Sequence, residues 1–469
     1  MWGTVNSNYS GSAGIAINPS SLVNSKLYMD VNLLTGDIFA ENNYLHIHKE
    51  DYGLFKILGP DGHIPAYGDD ENLFDRYRNK DLKHAYMNIR MQGPSFMIVV
   101  GDHAFGLHTA LRSNMSMYRM PYDVANFLYE GLEYAPQHNI NYNDHDAYLS
   151  NLEWGEIGLT YSGVLYKYGM DRITGGITLK YLSGVASGYL DLDHVDYIVL
   201  NDSTINILNL DARAGYSLPL NYDNNDIPDD GPLFKGRGIG ADVGVTYSRT
   251  KRQAQKSRFD HLCEQRYPDY FYRVGFSLLD IGSINFTENA RAYAYDNVNT
   301  YWEDLKTINY SDLNQMMDII NNRFYNDPDA AETGEKFKMI LPSAFSVQLD
   351  YQFSPDWYVN ATGIMPLKLG QNYIRRPMQL SFTPRYENRL YEIALPVSLY
   401  EMRYPRIGLA ARLAFLTVGT DKLGGFLGLS DFEGMDIYFS IKINFSKGIC
   451  PFLRSPDECL NQEYGRYRR

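Results

Sequence analysis

The sequence contains no long hydrophobic run. Its 469 residues include no uninterrupted apolar stretch of about 18 residues, and the mean hydropathy is −0.36. A helical membrane span needs about 20 mostly apolar residues, so such a span is not expected. A membrane β-barrel is not excluded, because barrel strands alternate apolar and polar residues and average to moderate hydropathy.

Cysteine is rare, with three residues in the chain. Cys450 and Cys459 are close enough in sequence to close a short loop, and in an oxidising compartment they could form a disulfide. The alternative is two reduced thiols. Cys263 is left without a role, and three scattered cysteines do not match a zinc site.

An excess of positive charge and an export signal are also missing. The formal net charge is −13, which argues against nucleic-acid binding. Met1-Trp2-Gly3 leads into the polar stretch Asn6–Ser10 without the apolar segment of a secretory signal. If the protein is exported, we expect that its signal has been removed or lies outside this sequence.

What the chain has in abundance is tyrosine and two-faced strands. Tyrosine contributes 40 residues, and its ring and hydroxyl suit boundaries between apolar and wet surroundings. The clearest strand runs from Met435 to Phe445. Its apolar face consists of Ile437, Phe439, Ile441, Ile443 and Phe445, and its polar face of Tyr438, Ser440, Lys442 and Asn444. Such a strand borders either a packed core or a lipid bilayer.

Strand length decides between these two environments. About fourteen segments repeat the alternation, and most span about 10 to 18 residues, whereas strands of soluble sandwiches average about 5 to 6. We therefore predict an all-β fold: a transmembrane antiparallel β-barrel of about 14 strands, with long loops and a short amphipathic helix. As the closing strand, Met435–Phe445 should pair with the first strand, near residues 28–45. Its apolar face would contact lipid, and Lys442 and Asn444 would point into the lumen.

The predicted helix lies in a long polar segment. Ser311 could cap it, and five apolar residues would share one face: Leu313, Met316, Met317, Ile320 and Phe324. One interpretation is a loop helix lying on the barrel rim. The other is a plug or a helix that docks a partner.

No motif predicts catalysis or a cofactor. Gly236–Ala241 has the glycine spacing of a dinucleotide-binding turn, but it opens a strand rather than a helix. His46 and His48 would share a strand face, yet the sequence offers no third metal ligand. Four aspartates cluster in a loop that fits no defined calcium site: Asp223, Asp226, Asp229 and Asp230. We therefore expect no enzyme activity, no cofactor and no metal.

Several segments carry a family resemblance. The most distinctive are Tyr404–Arg412 and Thr417–Gly425, and further matches are Leu341–Ala344, Arg375–Pro377 and, near the start, Asn18–Leu22. Through them the chain resembles a largely uncharacterised family of Bacteroidota outer-membrane proteins. Its members have FadL-like barrels, and many carry a C-terminal OmpA-like domain that binds peptidoglycan.

This resemblance implies three regions and a location. Residues 1–26 would form a periplasmic or plug segment, residues 27–446 the barrel, and residues 447–469 a periplasmic extension that could lead to a missing OmpA-like domain. The location would be the outer membrane of a Gram-negative bacterium. The expected contacts are the lipid bilayer and lipopolysaccharide, with peptidoglycan reached only through the missing domain.

Two functions remain open at this point. The preferred hypothesis is a non-enzymatic accessory subunit of a larger outer-membrane complex, either a BAM-type assembly or the type 9 secretion machinery. The alternative is a FadL-type transporter of a small hydrophobic ligand. That function needs an apolar pocket, whereas the predicted lumen faces are polar. The fold alone does not choose between the two functions.

Overall fold

A computed structural model gives the fold of residues 1–51, 53, 74–227, 232–251 and 269–445. Some predicted features lie outside these described residues: Cys263, Cys450, Cys459, Asp229, Asp230 and the extension 447–469. Within the described part, no helix has the length and hydropathy needed to cross a membrane.

The described chain consists mainly of β-strands. In chain order they are Met29–Asn42 (β1), Leu45–Ile47 (β2), Phe74–Arg76 (β3), Lys83–Gln92 (β4), Ser95–Val100 (β5), His103–Met120 (β6), Asn141–Tyr168 (β7), Asp171–Val199 (β8), Ile205–Ser217 (β9), Gly236–Thr250 (β10), Tyr270–Phe286 (β11), Ala290–Trp302 (β12), Glu332–Gly334 (β13), Phe337–Ile340 (β14), Ala344–Ser354 (β15), Trp357–Pro366 (β16), Gln379–Glu387 (β17), Tyr391–Ala394 (β18), Val397–Tyr400 (β19), Tyr404–Ile407 (β20), Leu409–Leu413 (β21), Leu416–Thr420 (β22) and Asp436–Phe445 (β23). The α-helices are Tyr122–Glu130 (α1), Leu313–Tyr325 (α2) and Leu423–Phe426 (α3).

These strands close into an antiparallel barrel of 14 wall strands, counted over the described residues. Four wall strands consist of two pieces each: β4 with β5, β14 with β15, β18 with β19, and β20 with β21. The barrel closes where β1 pairs with β23, with Met29 opposite Phe445 and Ile38 opposite Ile437. The prediction of an all-β antiparallel barrel of about 14 strands is confirmed.

The wall is apolar outside and polar inside. On β10, Ile239 is 76% exposed, whereas its inward neighbours Asp242 and Ser248 are buried. On β23, Ile437, Phe439, Ile443 and Phe445 are exposed, and Lys442 is buried with its Nζ donating to Ser10 O at 2.8 Å. A closed barrel of this kind satisfies its backbone hydrogen bonds between strands while it presents apolar side chains to lipid.

Proline explains three of the four breaks in the wall. Pro94 separates β4 from β5, Pro342 separates β14 from β15, and Pro396 separates β18 from β19. Proline has no N–H to donate to a neighbouring strand, so the ladder is interrupted where it occurs.

One rim of the barrel extends far beyond the wall. The strands β7 and β8 span 28 and 29 residues, and the second half of β8 pairs with β9, which in turn pairs with β12. These four strands form a rim extension, against which α1 and α2 pack. Its buried residues include Ala147, Tyr295 and Trp302. The extension therefore has a hydrophobic core of its own, above the polar lumen.

The helix α2 begins one residue later than predicted. Its N-cap is Asp312, whose side chain accepts from Gln315 N at 2.8 Å, so the assignment of the cap to Ser311 was wrong. Ser311 instead donates its hydroxyl to Asp312 Oδ2, and this bond and the one from Gln315 N lower the pKa of Asp312. A carboxylate at the N-cap satisfies a free N–H and interacts well with the helix dipole.

Candidate functional site

The N-terminal segment, residues 1–28, lies against the inner face of the wall. It contains two 3-10 turns, Gly11–Ala16 and Pro19–Asn24. Ile15, Leu22 and Leu27 are buried against apolar residues of β5 and β6, and Trp2 packs near Ala344 and Ile364. The segment thus fills part of the lumen and covers the apolar side chains of an otherwise largely polar inner wall.

Asn18 anchors the middle of this segment. Its side-chain oxygen accepts from Ser20 N, which caps the turn Pro19–Asn24, and its Nδ2 donates to Gln348 Oε1 at 2.9 Å. Proline at the first position of that turn has the backbone angle the turn requires. The dipeptide Asn18-Pro19 is therefore a rigid attachment point on the wall.

Two glycines of the wall make this attachment possible. A Cβ at Gly244 would collide with Asn18 Oδ1, and one at Gly176 would collide with the backbone of Pro19 and Ser20. Gly176 and Gly244 lie opposite each other on β8 and β10. Only glycine lets the backbone of the segment approach the wall this closely.

A polar network holds the beginning of the segment. Asn8 and Ser7 bond to Glu387, and Glu387 accepts from Arg385 Nε at 3.0 Å. Arg385 in turn makes two bonds to Asp350, at 2.8 and 2.9 Å. These charged groups are buried and mutually paired, which is what burial of charge requires.

Above the segment the lumen contains a cavity of about 150 Å³. Trp2, Val5 and Ile17 of the N-terminal segment form one side of it. Four aromatic rings line the cavity: Trp2, Phe39, Tyr86 and Tyr400. Phe39 and Tyr400 stack with their ring centroids 5.2 Å apart. The cavity therefore has an apolar, aromatic part, although most inward-facing residues are polar.

The cavity lining also includes four arginines, Arg90, Arg112, Arg375 and Arg376, and two carboxylates, Asp37 and Asp436. Arg375 is fully engaged, because it makes two bonds to Glu401 at 2.7 and 3.0 Å and stacks on Tyr118 at 3.8 Å. Arg90 differs. Its nearest carboxylate oxygen, on Glu156, is 3.8 Å away, and its Nε is buried without a hydrogen-bond partner in the described protein.

Behind the arginines lies a buried ionic cluster centred on Asp280. This carboxylate makes two bonds to Arg112, at 2.9 and 3.0 Å, one to Lys180 at 2.6 Å and an ion pair with Arg376. Asp280 adopts a φ of +52°, which aspartate tolerates better than most residues, and a register shift occurs beside it in the β10–β11 pairing. The bulge and the charge pairs together direct Asp280 inward.

The cluster has more positive than negative groups. Arg90, Arg112, Lys180 and Arg376 carry four positive charges, whereas the carboxylates of Glu156, Asp242 and Asp280 carry three negative ones. At the cavity itself Asp37 and Asp436 balance part of this charge, so binding of an anionic group depends on Arg90, which makes no hydrogen bond to a carboxylate among the described residues. The neighbouring aromatic rings can accept an apolar group.

A family model described as a family of unknown function, DUF5723, matches residues 19–421. The chain belongs to this family. The match begins at Pro19 and includes every wall strand up to β22, so the DUF5723 segment takes in nearly the whole barrel. No curated protein matches the sequence.

Several solved structures are similar to the DUF5723 barrel at very low identity. One is a TodX monoaromatic hydrocarbon channel mutant, with 10% identity, coverage of 93% of this chain and 95% of that one, and a TM-score of 0.43. The Pseudomonas putida toluene transporter TodX has 9% identity, coverage of 93% and 94%, and a TM-score of 0.33. A Pseudomonas aeruginosa FadL homologue has 7% identity, coverage of 91% and 93%, and a TM-score of 0.23.

The residues predicted from sequence lie mostly away from the cavity. The closing-strand residues Ile437, Phe439, Ile441, Ile443 and Phe445 alternate along β23. On α2, Leu313, Met316, Met317, Ile320 and Phe324 are half-buried, and Met317, Ile320 and Phe324 pack on the rim extension of the same chain. Gly236–Ala241 lies at the start of β10, in agreement with its interpretation as part of a strand.

The role of α2 in docking a partner stays a prediction.

The arginines of the cavity were missed as a functional group. In the sequence, Arg375 and Arg376 stand out only as part of the family resemblance. Arg90 and Arg112 alternate on β4 and β6 like any other inward-facing residue. The sequence does contain one indication of this group, because burying the charge of an arginine on a predicted lumen face is costly unless the arginine is paired. The partners of these arginines lie too far away along the chain to be recognised from the spacing of residues in the sequence.

Proposed function

We propose that the protein is a non-enzymatic channel in the outer membrane of a Gram-negative bacterium, and that it takes up a small molecule with an apolar ring and an anionic group. The observation that carries this proposal is the cavity between the N-terminal segment and the wall. It combines aromatic rings with an arginine, Arg90, whose charge is only partly compensated.

The size of the cavity limits the ligand. A cavity of about 150 Å³ is enough for a benzene-sized ring. Trp2 and Phe39 can contact such a group, while Arg90 can donate to a carboxylate; the ring of Tyr400 is already covered by Phe39 and Arg406. A long alkyl chain would require the N-terminal segment to move.

A binding titration tests the proposal directly. Trp2 lines the cavity, so its fluorescence in the purified, detergent-solubilised chain should change when benzoate binds. We expect Arg90→Gln to weaken benzoate binding about tenfold, corresponding to one lost charge-assisted bond. The matched control is Arg119→Gln on the exposed rim, where Arg119 pairs with exposed Asp146.

Neutral and non-aromatic probes complete this test. Toluene should bind equally to the parent protein and to Arg90→Gln, because it lacks the anionic group. Cyclohexane carboxylate should bind less tightly than benzoate if ring stacking contributes. Equal benzoate binding by the parent protein and Arg90→Gln, or no saturable binding at all, would refute the proposed ligand class.

A second candidate function is the accessory subunit of a larger outer-membrane complex. The observation that favours it is the rim extension, which adds a long four-strand surface that a simple channel does not need. Native purification followed by mass spectrometry separates the two functions. Partners co-purifying in a fixed ratio would support the subunit role, whereas a chain that purifies alone would count against it.

A further inference from the structure

The small hairpin of β2 and β3 brings together two histidines and an aspartate. His46 lies directly opposite Asp75 in the antiparallel pair, and His48 follows two residues after His46, on the same face. One potential ligand atom from each of the three residues lies within 4.8 Å of the others. The sequence could not indicate this third partner, because Asp75 is far from His46 and His48 along the chain.

His46 is the fixed member of this group. It is 5% exposed, and its ring stacks on Tyr77 with the centroids 4.1 Å apart. Its Nδ1 is buried and has no hydrogen-bond partner among the described residues. A buried ring nitrogen without a partner is unfavourable, and such a group often indicates a missing ligand or ion.

His48 is oriented by acidic groups on both sides of its ring. Its Nε2 lies 3.6 Å from Asp75 Oδ2, and its Nδ1 lies 3.9 Å from Asp431 Oδ1. Both separations exceed a normal hydrogen bond, so there is space between the groups. The arrangement resembles a metal-bound histidine whose second nitrogen faces a carboxylate, a common way of fixing ring orientation.

We propose that His46, His48 and Asp75 bind a divalent transition-metal ion of the zinc type. Two imidazoles and one carboxylate form a typical three-ligand set for such an ion, with a fourth position left for water. Binding requires the ligands to draw together by about 1 Å, given metal–ligand distances of about 2.0 to 2.2 Å. His48 and Asp75 can make this movement, because their side chains are about half exposed.

The ion would connect β2 with β3, in a hairpin that is itself attached to the rim. Ile47 of the hairpin forms a bridge with Phe432, in the segment that leads into β23, and Tyr77 donates to Glu433 of the same segment. Asp431, beside Phe432, faces His48. Metal binding would therefore stabilise a hairpin that lies next to the seam between β1 and β23.

Calorimetric titration of the purified full chain with zinc chloride tests the site. We expect one ion per chain, with binding weakened at least about tenfold in His48→Gln and in Asp75→Asn. These two variants alter exposed side chains and should fold normally. Asp431→Asn should have a smaller effect, because Asp431 orients His48 without contacting the ion. Substitution with cobalt should give the visible absorption of a tetrahedral site.

The matched control is His103→Gln, an exposed histidine at the opposite rim, which should bind zinc like the parent protein. Unchanged affinity in His48→Gln or Asp75→Asn would overturn the proposal. So would loss of binding in His145→Gln, because His145 faces His194 across β7 and β8 and would then hold the ion instead.

Discussion

Asp280 shows how one buried residue can organise the inside of this barrel. It pairs with Arg112, Lys180 and Arg376, and its amide N donates to Asp242 at 2.7 Å. Charges from two wall strands, β6 and β8, and from one loop therefore meet at a single carboxylate on β11. Such a group contributes less to net stability than to fixing one arrangement of its partners.

Replacing Asp280 should destabilise the barrel. Asp280→Asn retains the shape and tolerates the positive φ, but it leaves three cations without their shared carboxylate, and we expect a loss of about 3 to 5 kcal/mol. Thermal or urea unfolding in detergent measures this change. Asp202→Asn, at an exposed bend, is the control and should have no effect. Equal stability of the two variants would contradict a central role for Asp280.

At the scale of elements, the N-terminal segment and the wall fit each other closely. Gly244→Ala should displace the segment, because the added methyl group would occupy the position of Asn18 Oδ1. Limited proteolysis should then cut within residues 1–28 much faster than in the parent protein. Gly363→Ala is the control, since its Cβ would meet only Leu380, at 3.9 Å. Equal cleavage of both variants would argue that Asn18 does not hold the segment.

The rim extension should respond to pH. Burial and the nearby Asp123 raise the pKa of Asp144, on β7, to about 6, whereas an unfolded aspartate titrates near 3.9, about two units lower. Between about pH 4 and about pH 6, Asp144 keeps its proton in the folded state but loses it in the unfolded state. The stability of the folded state therefore falls as the pH rises through this range. At pH values above about 7, Asp144→Asn should therefore unfold at a higher thermal midpoint than the parent protein. Near pH 4 the two midpoints should be equal.

A pH series of thermal scans on the parent protein and Asp144→Asn measures this effect, with Asp202→Asn as a control for general charge removal. If Asp144→Asn shifts the midpoint equally at all pH values, titration of Asp144 is not the cause.

The sequence predicted the wall elements better than the site within them. Alternation such as that of Ile437, Phe439 and Ile443 is local and follows from the strand geometry, so it could be recognised directly. Alternation does not separate the wall from the rim extension, because β7 and β8 run from one into the other without a break. The cavity depends on pairs such as Arg112 with Asp280, which the fold brings together across 168 positions. No local pattern contains that information.

At the scale of the whole molecule, the exposed apolar side chains on the outside of the wall form a band, and this band predicts where a charge is tolerated. Leu159 on β7 and Leu429 in the loop before β23 are both strongly exposed, at 63% and 73%. Leu159→Arg would place a charge in lipid and should cost about 2 to 4 kcal/mol of stability in a bilayer. Leu429 lies at the rim, so Leu429→Arg should leave the stability unchanged. Urea titrations of the two variants folded into liposomes compare them, and equal midpoints would contradict the membrane position of the band.

The enclosed N-terminal segment also sets an order of assembly. Its contacts reach Gly176, Gln348, Glu387 and Lys442, which lie on strands all around the wall. The segment leads directly into β1, one of the two strands of the closing seam, so closure of the seam fixes its end inside the wall. We expect the segment to be in place before the ring closes, because pairing of strands so distant in sequence is slow and leaves time for it to bind. We therefore expect residues 1–28 to serve during biogenesis as an internal template on which the remaining strands assemble.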